Sequence, residues 1–263
     1  MTVLLVVALA LAVGALVPLT LSLRRARVEL GRHRTALART VQRVEHIERA
    51  FQKFAPLDVV ERFAEGEQEL EPRSCSVTVL FADLKGFTAM SERVAPALMI
   101  EMLNGYFRAM HAELSAHHGH LARIMGDGLL AVFGALDHNP WQTADAVRAA
   151  LAMREALVRY NDELAPRGLP RLEFGVGIHV GEVVAGVMGS DRLREFSVIG
   201  DPVNTAARVE SLTRTHGVDI LVTGAVQAVL DDQFVLRPMP PVAVKGKTEP
   251  VATFAVESLR DRA

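Results

Sequence analysis

The sequence predicts an α+β fold, a sheet built on a β-α-β-β-α-β order and preceded by a long apolar helix and a helical connector. Three observations carry this. From residue 76 onward, short β-branched runs alternate with stretches of helical periodicity. Tight glycine turns separate the paired strands. A charge-free run of 22 residues, 2–23, stands apart from the rest.

Within residues 2–23 only Thr2, Gly14, Pro18, Thr20 and Ser22 interrupt the aliphatic side chains. A helix of that length spans about 33 Å at 1.5 Å per residue, enough for a hydrocarbon core of about 30 Å. A cleaved signal peptide would need a charged segment ahead of a shorter apolar stretch, and no Lys or Arg precedes this one. Residues 1–23 therefore read as a single-pass transmembrane anchor. Residues 24–53 follow with nine Lys/Arg against three Glu. Positive charge stays on the cytoplasmic side, so the C-terminal part is expected in the cytoplasm, at the plasma (inner) membrane.

Residues 24–72 form the connector. Leu30, Leu37, Val44 and Phe51 recur at seven-residue intervals, with Val41, Ile47 and Phe54 beside them. This is one apolar seam on a helix. It suits a parallel dimeric coiled coil, or an amphipathic helix packed on its own domain or on anionic lipid. Pro56, the Glu65-Gly66 turn and Pro72 end it.

Residues 73–258 form the third segment. Residues 76–82 (SVTVLFA) read as a buried strand, and 96–117 as a helix through Leu98, Met102, Tyr106, Met110 and Leu114. Residues 120–125 and 129–133 are two strands turning at Gly126-Asp127-Gly128. Residues 140–164 make a long amphipathic helix with Asn139 as cap and Pro140 in its first turn. Residues 172–179 and 182–187 read as two strands around Gly181. A helix over 202–213 follows, then short strands near Ile220, Phe234, Val242 and 251–256. That order is a ferredoxin-like sheet with additions.

Residues 54–263 hold 20 basic and 28 acidic residues, a formal charge of −8. Nucleic-acid binding rests on basic patches, so nucleic acid is not expected as a partner. The sole cysteine, Cys75, lies in an apolar run and has no intrachain partner for a disulfide, which fits a reducing compartment.

Two carboxylates stand out by position. Asp83 follows the strand VTVLFA, and Asp127 sits in the MGDG turn between two further strands. In a split βαββαβ sheet those strand ends can be neighbours. Two close carboxylates repel unless a cation lies between them, and hard oxygen ligands favour Mg²⁺ or Mn²⁺ completed by substrate phosphates. Taken singly, each Asp could merely cap its turn. Between strand and helix, Leu84-Lys85-Gly86-Phe87-Thr88 offers a tight turn whose N–H groups and following helix start suit an anion. Asn204 and Arg208, four apart on a helix, share one face and suit an anionic, oxygen-rich ligand.

Five blocks carry a resemblance: FADLKGFT at 81–88, RIMGDGLLAVFG at 123–134, GIHVGEVVAG at 177–186, VIGDPVNTAAR at 198–208 and VKGK at 244–247. In this order and spacing they resemble the class III nucleotidyl cyclase catalytic domain. The segment QKFAPLDVVERF at 52–63 resembles the stretch preceding many bacterial members. The GG(D/E)EF signature of the diguanylate cyclases is absent.

The resemblance implies an enzyme that converts ATP to 3′,5′-cyclic AMP and pyrophosphate. Asp83 and Asp127, with the Leu84 carbonyl, would hold two divalent metal ions. The backbone of Gly86, Phe87 and Thr88 would cradle phosphate. Asn204 would orient the ribose, Arg208 would stabilise the transferring α-phosphoryl group, and Lys245 would bind the terminal phosphates. Each site would combine the metal carboxylates of one protomer with Asn, Arg and Lys of the other, so the enzyme would be a homodimer with two shared sites. Where the family reads the base, this chain has Arg123 and Ser197. Arg differs from the usual Lys in shape and donor number. A guanylate or dual-specificity cyclase, and a non-catalytic nucleotide-sensing module of the same fold, are the alternatives.

Overall fold

The computed structural model describes residues 37–44, 72–190, 193–241 and 251–260. The chain divides into two units, Met1–Phe54 and Ala55–Ala263. In the first, residues 37–44 are helical, and Leu37, Val41 and Val44 of the expected seam are exposed. The 2–23 run, most of the connector, Lys245 and the strand expected near Val242 lie outside the described residues. Among the described residues no helix is long and apolar enough to cross a membrane.

The second unit begins with β1 (Arg73–Leu84), α1 (Phe87–Ser91), α2 (Pro96–Ala116), β2 (His120–Met125), β3 (Gly128–Phe133) and α3 (Gln142–Leu164). It continues through β4 (Phe174–Ser190), β5 (Leu193–Ile199), α4 (Asp201–His216), β6 (Ile220–Thr223), α5 (Gly224–Gln227), β7 (Phe234–Pro238) and β8 (Thr253–Leu259). The sheet order is β2-β3-β1-β4-β6-β8-β7, with β5 paired to β4. Each neighbouring pair among β2, β3, β1 and β4 is antiparallel, as the split βαββαβ order requires. β6 then adds in parallel to β4.

Strand alternation divides β1 between two cores. Leu80, Ala82 and Leu84 face α2 and α3, packing with Tyr106, Met110, Val147 and Met153. Val77 and Val79 belong to the opposite layer, with Leu130, Val132, Phe196, Val198 and Ala206. The β4–β5 hairpin and α4 therefore cover the sheet face that Asp83 shares by register.

Three expectations are corrected. Residues 174–190 form one continuous strand where two were expected, because Gly181 stays in the ladder opposite Val77. Its missing side chain makes room for a neighbour: a Cβ there would lie 2.7 Å from Pro202 Cγ. α3 starts at Gln142, and Asn139 secures the turn before it by accepting a hydrogen bond from the Trp141 N–H at 2.8 Å. Pro140 thus precedes the helix. β5 was not expected; its alternation of buried Phe196 and Val198 around Ser197 is short and sits inside a polar-looking block.

Candidate active site

Asp83 is the penultimate residue of β1, opposite Gly175 of β4. On its other side lies β3, where Gly128 leaves so little space that a Cβ would sit 3.1 Å from Asp83 Oδ1. The β2–β3 turn thereby brings Asp127 to Asp83. Burial raises the Asp127 carboxyl above its ordinary value, the Asp83 charge and a side-chain hydrogen bond to Asp83 raise it further, and a backbone hydrogen bond and Arg214 oppose. The predicted convergence of these two carboxylates is present in the fold.

Beneath them, the Tyr106 hydroxyl of α2 is fully buried and lacks a hydrogen-bond partner. Burial pushes this phenol up, and the charges of Asp83, Asp127 and Glu210 add to the shift.

α4 closes the other flank. It approaches β4 through Gly177, where a Cβ would enter the backbone of Ala206 and Glu210. Close packing turns the C-terminal half of the helix toward Asp83. Arg214 donates from Nη2 to Asp83 Oδ2 at 2.8 Å and to the Leu84 carbonyl at 3.3 Å. Its Nη1 lies 3.3 Å from Glu210 Oε1, which makes no directed hydrogen bond, and donates to Glu210 Oε2 at 3.4 Å. The Glu210 side chain is only 3% exposed. Burial pushes its carboxyl up to about 7, against the pull of Arg214 and with the push of Asp83.

Asn204 and Arg208 occupy the same helix, Asn204 exposed and Arg208 half-buried. Asn204 precedes Arg214 by ten residues, about 15 Å of helix rise. The chain thus gathers Asp83, Asp127 and the Leu84 carbonyl at one end of α4 and sets Asn204 near the other. The loop after β1 holds Gly86 in the left-handed region at φ 70°, a conformation that glycine adopts without strain. Lys85 is anchored there, its N–H on the Glu173 carbonyl and Nζ on the Val218 carbonyl at 2.7 Å. Phe87 and Thr88 open α1, which has only five residues, so the helix-start contribution expected for an anion is small and the loop N–H groups are what the fold offers. Arg123 is exposed on β2 opposite Leu130, and Ser197 is half-buried on β5 opposite Gly186.

A sequence profile of the adenylate and guanylate cyclase catalytic domain matches residues 70–258. The chain belongs to this cyclase family. It is 36% identical over 220 residues to an adenylate cyclase of Anabaena cylindrica, covering 80% of this chain and 43% of that protein. The chain spans less than half the length of the curated relatives it matches. Among solved structures, the guanylyl cyclase Cya2 superposes with a TM-score of 0.69 at 32% identity, over 72% of this chain and 95% of Cya2. The adenylyl cyclase CyaB from P. aeruginosa gives 0.68 at 27% identity, over 73% and 98%.

The cyclase fold of this chain brings few donors to a metal. Among the described residues no cluster of three or more His, Cys, Asp or Glu side chains gathers at one point. Two carboxylates and one carbonyl remain, a set that suits Mg²⁺ or Mn²⁺ whose other ligands are water and substrate phosphate. The fit has an internal check: Arg214 already places a positive group on Asp83 and Leu84 O. Sequence reasoning missed Tyr106, Glu210 and Arg214. Tyr106 was absorbed into the apolar face of its helix, whereas Glu210 and Arg214 form a legible i, i+4 acid–base pair.

Proposed function

We propose that the chain is a nucleotidyl cyclase that converts ATP to 3′,5′-cyclic AMP and pyrophosphate as a homodimer. The observation that carries this reading is the split of the expected catalytic set along α4. Asp83 and Asp127 lie at one end, and Asn204 lies about 15 Å of helix rise from Arg214, which binds Asp83. One chain supplies half of a site, and a second copy supplies the rest. Exposed apolar residues next to the expected base-reading positions support such pairing: Ile124 and Met125 after Arg123, and Val184 and Ile199 near Ser197. An exposed apolar surface of this kind is more stable covered.

In this reading Asp83, Asp127 and the Leu84 carbonyl would hold two divalent cations, which when bound activate the ribose 3′-hydroxyl and neutralise the triphosphate. Gly86, Phe87 and Thr88 offer N–H groups to phosphate. Asn204 fixes the ribose, so that the 3′-oxygen lies in line with the α-phosphorus. Arg208 stabilises the charge on the α-phosphoryl group as the bond to pyrophosphate breaks. Lys245 holds the terminal phosphates, and Arg123 and Ser197 read the purine. The connector would hold two copies side by side, and residues 2–23 would fix them in the inner membrane with the catalytic domains in the cytoplasm.

The reading is tested by mixing inactive Asp83→Ala with inactive Asn204→Ala protein and assaying cyclic nucleotide formed from ATP and from GTP. Heterodimers contain one intact site and should regain part of the activity, with ATP preferred. Proven heterodimers without turnover would refute the shared site, and a GTP preference would reassign the substrate.

A further inference from the structure

We infer, on the assignment of Asp83 and Asp127 to divalent cations, that Arg214 is a displaceable internal cation which competes with the metal for Asp83 and the Leu84 carbonyl and moves onto Glu210 when the metal enters. Three observations support this. The Arg214 Nη2 group addresses both oxygens at once, 2.8 Å from Asp83 Oδ2 and 3.3 Å from Leu84 O. Mg²⁺ would need the same two oxygens at about 2.0–2.1 Å. Two cations a few ångströms apart repel, and they cannot share the same two acceptor oxygens, so one must yield.

A place to yield to already exists. Glu210, one helical turn before Arg214, is within ion-pair distance of Nη1, and its Oε1 has no directed hydrogen bond. The guanidinium can therefore release Asp83 without losing its counter-ion. It also has room to move, since the Arg214 side chain is 41% exposed, whereas Glu210 is buried and held by its helix against β4. In the metal-free protein the same contact prevents two adjacent carboxylates from facing each other without a cation. Arg214 is thus a positioning residue, which keeps the carboxylates in place for a metal to find.

Direct titration of Mn²⁺ alone into the purified full-length chain, by calorimetry, separates this role from simple scaffolding. Arg214→Gln removes the competitor and should tighten Mn²⁺ binding by about two- to fivefold, the range of a partly exposed ion pair. Glu210→Gln leaves Arg214 with Asp83 as its remaining carboxylate and should weaken binding by a similar factor. Arg214→Lys keeps the charge and should stay within about twofold of the wild-type value. If the two residues served only as scaffold, both glutamine variants would bind Mn²⁺ more weakly. Unchanged or weaker binding in Arg214→Gln overturns the displacement. Should that variant fail to fold, Arg214→Met, neutral and of similar length, takes its place, with unchanged or weaker binding again as the refuting result. Asp83→Asn run in parallel tells the two assignments apart: if it binds Mn²⁺ as the wild type does, the metal assignment itself falls.

Discussion

Gly177 of β4 lies so close to Glu210 of α4 that a single added methyl group would enter the Glu210 backbone. This contact sets how near the helix comes to the sheet, and so whether Glu210 and Arg214 reach the Asp83 end. Gly177→Ala must push the helix out. Overpacking of this kind costs about 1–3 kcal/mol. The variant should unfold at lower denaturant concentration and lose most of its turnover, and an unchanged midpoint would show that α4 shifts at no cost.

Asp83 and Asp127 predict divalent-metal dependence through both side chains. Each carboxylate lies within the other's field, as the raised Asp127 carboxyl shows. Replacing either by Asn keeps the shape and removes one anionic ligand. Asp83→Asn and Asp127→Asn should each fold, with circular dichroism like the wild type, and each should lose turnover in Mn²⁺. Near-wild-type activity in either would remove that residue from the metal site.

Much of this was legible in the sequence, for physical reasons that differ by element. β1 announced itself because its interior is apolar on both faces, Val77 and Val79 toward one core and Leu80 and Ala82 toward the other. The turn at Asp127 was marked by its glycines, and the convergence of Asp127 on Asp83 followed from the strand order. The continuity of β4 was not legible, because Gly181 reads locally as a break while its role is to admit Pro202 from a distant helix. Arg214 escaped notice for a related reason. An Arg four residues after a Glu ordinarily signals a solvated helix face, and only the tertiary approach through Gly177 carries it to Asp83.

Glu210 gives the metal-free protein a distinctive pH dependence. Its carboxyl rises from 4.5 to about 7, chiefly through burial. A raised value means that the folded state holds the proton more tightly than the unfolded state. Its contribution to stability is therefore complete below about 4.5 and is lost as pH rises through about 7. Asp127 shifts in the same direction. Glu210→Gln cannot titrate, so in chelator its stability relative to wild type should rise by about 2–3 kcal/mol across that window, at 1.36 kcal/mol per unit. Urea unfolding at pH 4.5 and pH 8 measures the difference, and a constant difference would show that Glu210 titrates normally.

Arg208 should act on the transition state more than on substrate binding. It is half-buried on α4 and one turn after Asn204, and in the proposed homodimer it would meet a nucleotide held by the second copy. Loss of a charged donor where phosphoryl charge develops costs about 10²–10³ in kcat, or roughly 3–4 kcal/mol. Arg208→Ala should lower kcat by that factor with a small change in KM. A large rise in KM at constant kcat would make Arg208 a binding residue only.

Arg123 should set the preference for ATP over GTP. It lies exposed on β2, four residues before Asp127, beside apolar Ile124 and Met125 that a partner subunit would cover. A guanidinium can only donate hydrogen bonds. Adenine N1 accepts one, whereas guanine N1 carries a proton and leaves only O6 on that edge to accept. Ser197 does not break the tie, because its hydroxyl can accept from the adenine amino group or donate to the guanine carbonyl. The discrimination therefore falls on Arg123. Removing a site's hydrogen-bond partner costs about 1–3 kcal/mol, and here the cost should fall mainly on the nucleotide that accepts. Arg123→Ala should reduce the ATP-to-GTP ratio of kcat/KM by about tenfold, while Arg123→Lys should keep or improve ATP turnover because a single donor to N1 remains. An unaltered ratio in Arg123→Ala would leave Arg123 a surface cation and place base recognition elsewhere.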